Sequence, residues 1–134
     1  MKRRAFNNVR IEFPWPSKEL SPNARVHWRK KSNSAGEYKL ICWFVASKEL
    51  RATGAVVRAD HDGKYHLSIQ FCPPDKRKRD MDNCIGSFKS GQDGLAAAIN
   101  ADDHNFIVTY SMGEPVNDGV VIVEFVNGVR RQSR

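Results

Sequence analysis

The chain has 134 residues, 40% hydrophobic and 28% charged, with a net charge of +7 and a pI near 9.6. That is enough for one compact domain with its own core and too little for two ordinary ones, so residues 1–134 read as a single domain with flexible basic ends at 1–6 and 128–134. The charge favours an anionic partner over a merely soluble basic domain, and no apolar run approaches the roughly 18 residues of a membrane span.

Cys42, Cys72 and Cys84 lack a Cys-x-x-Cys spacing and sit in apolar segments, so they read as reduced core residues rather than disulfides or zinc ligands. The basic start Lys2-Arg3-Arg4 is not followed by the apolar run of a signal peptide, and a cytoplasmic protein is expected. There is no internal repeat.

Val9, Ile11 and Phe13 alternate with Arg10 and Glu12, predicting a first strand closed by Pro14-Trp15-Pro16. The segment from Ser17 to Lys31 reads as a loop. It interleaves Arg25, Arg29, Lys30 and Lys31 with Trp28, a mixture suited to phosphate and exposed bases. Trp15 and Trp28 either serve that role or pack against the core edge.

A helix is predicted from Ser34 to about Ala52, with caps in Ser32–Ser34 and a stop at Gly54. Leu67, Ile69 and Phe71 alternate as a second strand, broken by Pro73-Pro74. Met81, Ile85, Phe88, Leu95 and Ile99 then give one helix from about Met81 to Ile99 its apolar face. Two last strands, Phe106–Tyr110 and Val120–Val126, are separated by turn residues and read as an antiparallel hairpin. The expected fold class is α+β: a mixed or antiparallel sheet of about four strands with two main helices packed on it.

The chemistry concentrates between the second strand and the third. Lys76, Arg77, Lys78 and Arg79 run straight into Asp80 and Asp82, and Asp102-Asp103 follows about twenty residues later. Cations suit phosphate, and clustered carboxylates suit a hard divalent ion such as Mg²⁺, which needs only one or two protein ligands. In extended chain, residues two apart share a face about 7 Å apart, so Asp80 and Asp82 either converge on an ion or leave Asp82 as a helix cap. In one continuous helix Asp82, Gly86, Lys89 and Asp93 form a stripe in which the glycines leave room for a substrate, although Lys89 and Asp93 also fit an ordinary ion pair. Asp102-Asp103 beside a helix C-terminus calls for a compensating cation, which a bound metal would supply, or lies in a solvated polar loop. There is no phosphate-binding Gly-Lys loop or nucleophilic serine elbow, and His27, His61 and His66 have no ligand spacing.

Arg79-Asp80-Met81-Asp82-Asn83, then Lys89-x-x-x-Asp93-Gly94-Leu95, then Asp102-Asp103 resembles the RusA-type Holliday junction resolvases. The stretch Pro14-Trp15-Pro16-Ser17 to Ser21-Pro22-Asn23-Ala24-Arg25 is similar to their proline-rich N-terminal motif, and the likeness runs from about Ile11 to Val126. It implies a homodimeric, magnesium-dependent endodeoxyribonuclease of bacteria or their phages that nicks opposing strands of four-way DNA in recombination and repair. By motif, the metal ligands would be Asp80, Asp82 and Asp103, and Lys89 the catalytic lysine. In the best-known form of that family the lysine follows the second aspartate by four residues, where this chain has Gly86. The cations Arg25, Arg29, Lys30, Lys31 and Lys76–Arg79 would hold flanking DNA. Two alternatives remain: a non-catalytic DNA-binding module, and a metal nuclease for other branched or single-stranded DNA.

Overall fold

The computed structural model describes residues 8–126; the expected flexible ends lie outside the described residues, apart from the boundary the chain shares with them. Four strands form one mixed sheet: β1 (Val9–Pro14), β2 (Tyr65–Cys72), β3 (Phe106–Met112) and β4 (Val120–Phe125). Three helices accompany it: α1 (Trp28–Thr53), α2 (Met81–Ser87) and α3 (Lys89–Ala98). The α+β expectation is borne out.

The sheet order is β1-β4-β2-β3, with β4 antiparallel to both neighbours and β2 parallel to β3. The expected β3–β4 hairpin therefore does not form, because β2 lies between the two strands. A parallel β2–β3 pair needs a crossover, and α2 and α3 provide it.

Period-two patterning sets the layers. Val9, Ile11, Phe13, Leu67, Ile69, Phe71, Val121, Val123 and Phe125 are buried on the helix side, while Arg10, Glu12 and Thr109 alternate onto the other face. Tyr38, Cys42 and Ala46, at four-residue steps, are the buried line of α1. Tyr38 Oη donates to the Pro14 carbonyl at 2.5 Å and ties α1 to the end of β1. All three cysteines are buried and free, as expected.

Helix α1 starts six residues earlier than the sequence suggests. His27 accepts the Arg29 N–H at 3.1 Å as the cap, so Arg29–Lys31 belong to the first turn and Ser32–Ser34 lie inside the helix. Ser34 is not a cap; its hydroxyl donates to Glu19 Oε1 at 2.5 Å. The predicted stop holds, with Gly54 left-handed at φ 71° and its N–H on the Leu50 carbonyl.

The second predicted helix is two. Phe88, φ −91° and ψ 0°, interrupts it and is almost fully buried. Its ring centroid lies 5.7 Å from Phe13, 6.1 Å from Tyr38 and 6.3 Å from Phe71. Planting that ring in the core is compatible with a bend beside the Gly86-Ser87 pair, a common place for one.

The proposed stripe across Asp82, Gly86, Lys89 and Asp93 is thus not one helical face. Nor do the glycines leave space for substrate. A Cβ on Gly86 would strike the Pro22 ring, one on Gly91 would come within 2.7 Å of Phe88 and Tyr38, and one on Gly94 would meet the Lys39 carbonyl oxygen. The chain itself fills the room, and Gly94 lets α3 pack directly on the α1 backbone. Among the described residues, no helix is long and apolar enough to cross a membrane.

Candidate metal and nucleic-acid site

Two strand–helix junctions, one at each end of the α2–α3 unit, carry the predicted residues. At the first, β2 ends and Pro73-Pro74 turn the chain toward Asp75. The Asp75 carboxylate accepts the Arg77 N–H at 3.0 Å and an Arg79 guanidinium N–H at 2.8 Å. That guanidinium also donates to the backbone oxygens of Asp75 and Arg77, and lies 5.7 Å over the Trp15 ring. The Arg79 hydrogen bond, with help from the Arg77 N–H, lowers the Asp75 carboxyl to about 2.

The basic run therefore does not present four equivalent cations. Arg79 faces inward, its side chain only 17% exposed, and organises the loop. Lys76 and Lys78 are exposed and carry no ion pair among the described residues, while Arg77 reaches Asp75 at 3.6 Å. The sequence reading passed over Asp75. Its signal was an aspartate directly after two prolines, a residue type that accepts the N–H two places on.

Asp80 occupies the N-cap position of α2, with extended backbone, yet its side chain makes no capping bond. Asp82 follows in the first turn. Both are exposed, and neither carboxylate has a hydrogen-bond or ion-pair partner among the described residues. The cap alternative thus falls on Asp80 by position and on neither aspartate by bonding.

At the second junction, Asn100 takes a left-handed φ of 57° and closes α3, with Asn100 N–H on the Ala97 carbonyl and Ala101 N–H on the Ala96 carbonyl. The turn Asp103–Asn105 follows, capped by Asp102, whose carboxylate accepts the His104 N–H at 3.0 Å and approaches its Nδ1 at 2.9 Å. Those bonds, the backbone one first, hold the Asp102 carboxyl below its usual range.

Asp103 points to α3. Lys89 Nζ donates to Asp103 Oδ2 at 2.5 Å and to Asp93 Oδ1 at 3.4 Å. The Asp103 hydrogen bond raises the Lys89 pKa, and the same contact lowers that of Asp103. The cation expected to offset the acidic pair is therefore already present: it is Lys89, not necessarily a metal.

Asp102, Asp103 and His104 offer ligand atoms that all lie within 4.8 Å of one another. The carboxylates of Asp80, Asp82 and Asp103 do not meet that test as a set. Bonds of about 2.0–2.1 Å around Mg²⁺ keep ligand oxygens within roughly 4.2 Å of one another, so the three do not form a single shell in this geometry.

The other predicted cations divide by task. Lys30 pairs with Glu19 at 3.1 Å, and Lys31 Nζ donates to the Ser21 carbonyl at 3.0 Å, fastening the Ser17–Asn23 segment to α1. Arg25 is exposed, and Arg29 lies 5.1 Å over the Trp28 ring. Trp28 is 67% exposed, whereas Trp15 packs edge-on against Phe71. The packing alternative therefore holds for Trp15 and not for Trp28. A second histidine pair also went unread: His66 Nε2 lies 2.7 Å from Asp60 Oδ2.

An uncharacterized protein of Xylella fastidiosa (strain Temecula1 / ATCC 700964) is 32% identical over 123 residues, covering 92% of this chain and 78% of that protein. The chain belongs to the same family as that protein. No family model matches it. The shared span is long enough to include both junctions and every strand of the sheet.

Proposed function

We propose that the protein is a magnesium-dependent endodeoxyribonuclease acting on four-way DNA junctions. The observation that supports this most is the 2.5 Å contact between Lys89 Nζ and Asp103 Oδ2, which joins two of the four side chains assigned to hydrolysis across fourteen residues of sequence. A second support is the pair Asp80 and Asp82, whose carboxylates have no partner among the described residues and follow directly after the exposed cations of the β2–α2 loop.

The donor chemistry fits a hard divalent cation: carboxylate oxygens, two of them uncommitted, with room left for water and phosphate oxygen. Asp80 and Asp82 would hold it, while Asp103 engages Lys89 rather than their shell. When bound, the ion would supply an activated water and neutralise charge on the phosphoryl oxygens. Lys89, with its raised pKa, stays charged at neutral pH and is placed to exchange Asp103 for the scissile phosphate. Pro22 closes the position at Gly86 where a lysine stands in the resolvases that this sequence resembles, which favours Lys89 as its replacement. Lys76, Lys78, Arg25 and Arg29 would hold the flanking backbone, with affinity falling steeply with salt. A two-fold homodimer would supply the two matched sites that paired cuts require.

The engagement of Asp102 and Asp103 by His104 and Lys89 favours a second reading, a DNA-binding module without catalysis. A panel of synthetic four-way junction, flap, single strand and plain duplex, incubated with and without Mg²⁺, separates them. The proposal expects metal-dependent, paired incisions in the junction. Tight junction binding with no incision under any divalent metal supports the module instead, and faster cutting of flap or single strand reassigns the substrate.

A further inference from the structure

The β2–α2 loop does more than display cations. Together with the Ser17–Ser21 segment and α2 it walls a cleft of about 560 Å³, within the range of small-molecule sites. Trp15, half-buried, supplies an apolar wall backed by the buried Phe71; Asn83 and Asp80 line the cleft from α2, and the exposed Lys18 and Lys78 line it too.

Three features make this a place for a nucleotide rather than a gap in packing. The half-buried Trp15 ring and the Arg79 guanidinium 5.7 Å from its centroid both line the cleft, an aromatic and a cationic group of the kind that bases stack on. The Asn83 side-chain amide has no partner among the described residues, and it offers a donor and an acceptor together, as the edge of a base requires. Lys18 and Lys78 are exposed and without ion pairs among the described residues, ready for the phosphates on either side. Asp80, proposed above as a metal ligand, lines the same cleft, so a nucleotide held there adjoins the phosphate to be cut.

We propose that this cleft receives one unstacked nucleotide of the strand being cut, so that the enzyme selects DNA in which a base beside the scissile phosphate is free to leave its stack. The inference rests on the endonuclease reading and names how that site recognises its substrate. A base at a branch point costs less to unstack than one in continuous duplex, because part of its pairing and stacking is already lost. The cleft thereby converts a generic cationic surface into a detector of branched structure.

The test uses the full chain and four-way junctions carrying 2-aminopurine at successive positions around the branch point, bound in Ca²⁺. One position is expected to change its fluorescence in the wild type, with no such change in plain duplex. Asn83→Leu, which removes the amide and keeps a side chain of similar length, should abolish that change and weaken junction binding about tenfold. Circular dichroism reports its folding. Should Asn83→Leu fail to fold, the double variant Lys18→Ala/Lys78→Ala, at two exposed positions, is expected to lose most of the signal.

If the wild type binds and cuts the junction while no position responds, the nucleotide cleft is overturned and the endonuclease reading stands. If a position responds but no metal supports incision, the cleft stands and the endonuclease reading falls. A response that survives both sets of substitutions overturns the cleft.

Discussion

The two ends of the α2–α3 unit carry similar residues in opposite states. At the β2–α2 junction, Asp80 and Asp82 are exposed and partnerless, while Asp75 absorbs the organising arginine. At the α3–β3 junction, both aspartates are committed: Asp102 caps a turn and Asp103 is held by Lys89. A carboxylate whose bonds are already made contributes to the fold; one left open beside cations is available to a ligand. The open carboxylates therefore belong to the first junction and the committed ones to the second.

The largest expected effect follows at Asp82. Mutating even the outer-shell partners of metal ligands typically costs 10–100-fold, so Asp82→Asn should lower junction cleavage by more than about 100-fold. It should shift stability by less than about 0.5 kcal/mol, since the carboxylate has no partner to lose. Cleavage kinetics and a denaturant melt on the same preparation check both halves.

Lys89→Ala should slow cleavage by roughly 10²–10³-fold, as removing a positioned donor to a developing oxyanion does. It should also let the Asp103 carboxyl rise toward its ordinary 3.8, because the ammonium that depresses it is gone. A carboxyl-detected NMR titration reads that rise. An unchanged Asp103 would mean that Lys89 does not hold that carboxylate.

Asp102→Ala should lower the melting temperature through loss of the turn cap. The same substitution at Asp80 should cost much less, because Asp80 makes no capping bond. Equal losses in a thermal melt would erase the distinction between a committed and an open aspartate.

The smallest effect is one of pH. Asp75 titrates at about 2 in the fold against an ordinary 3.8, so its carboxylate favours the folded loop above pH 3.8. That contribution fades as pH falls through about 2. A carboxyl resonance for Asp75 titrating near 4 would show that Arg79 does not hold the loop.

Much of the fold was legible because burial follows period. Val9, Ile11 and Phe13 announced β1, and the three- and four-residue steps of Tyr38, Ile41, Cys42 and Val45 announced α1, although Ile41 turns out exposed. The β3–β4 pairing misled because turn residues mark a chain reversal but not which strand enters between its arms, a choice made by the α2–α3 crossover. The break at Phe88 was hidden for a related reason: its apolar spacing suits a continuous helix, and only the core decides where that ring must go. At the site, residue types were readable and commitments were not. Arg79 looks like its neighbours in sequence, and nothing local reveals that Asp75 and Trp15 claim it. Likewise the Lys89–Asp103 contact depends on where α3 delivers the chain.

The most direct measurement is Mg²⁺-dependent incision of a four-way junction by the wild type and by Asp82→Asn, at protein concentrations where each is shown to bind. The expected result is paired incision by the wild type and bound but uncut DNA with the variant. Equal cutting by the two proteins, or none by the wild type with any divalent metal, would contradict a hydrolytic role for the open carboxylates.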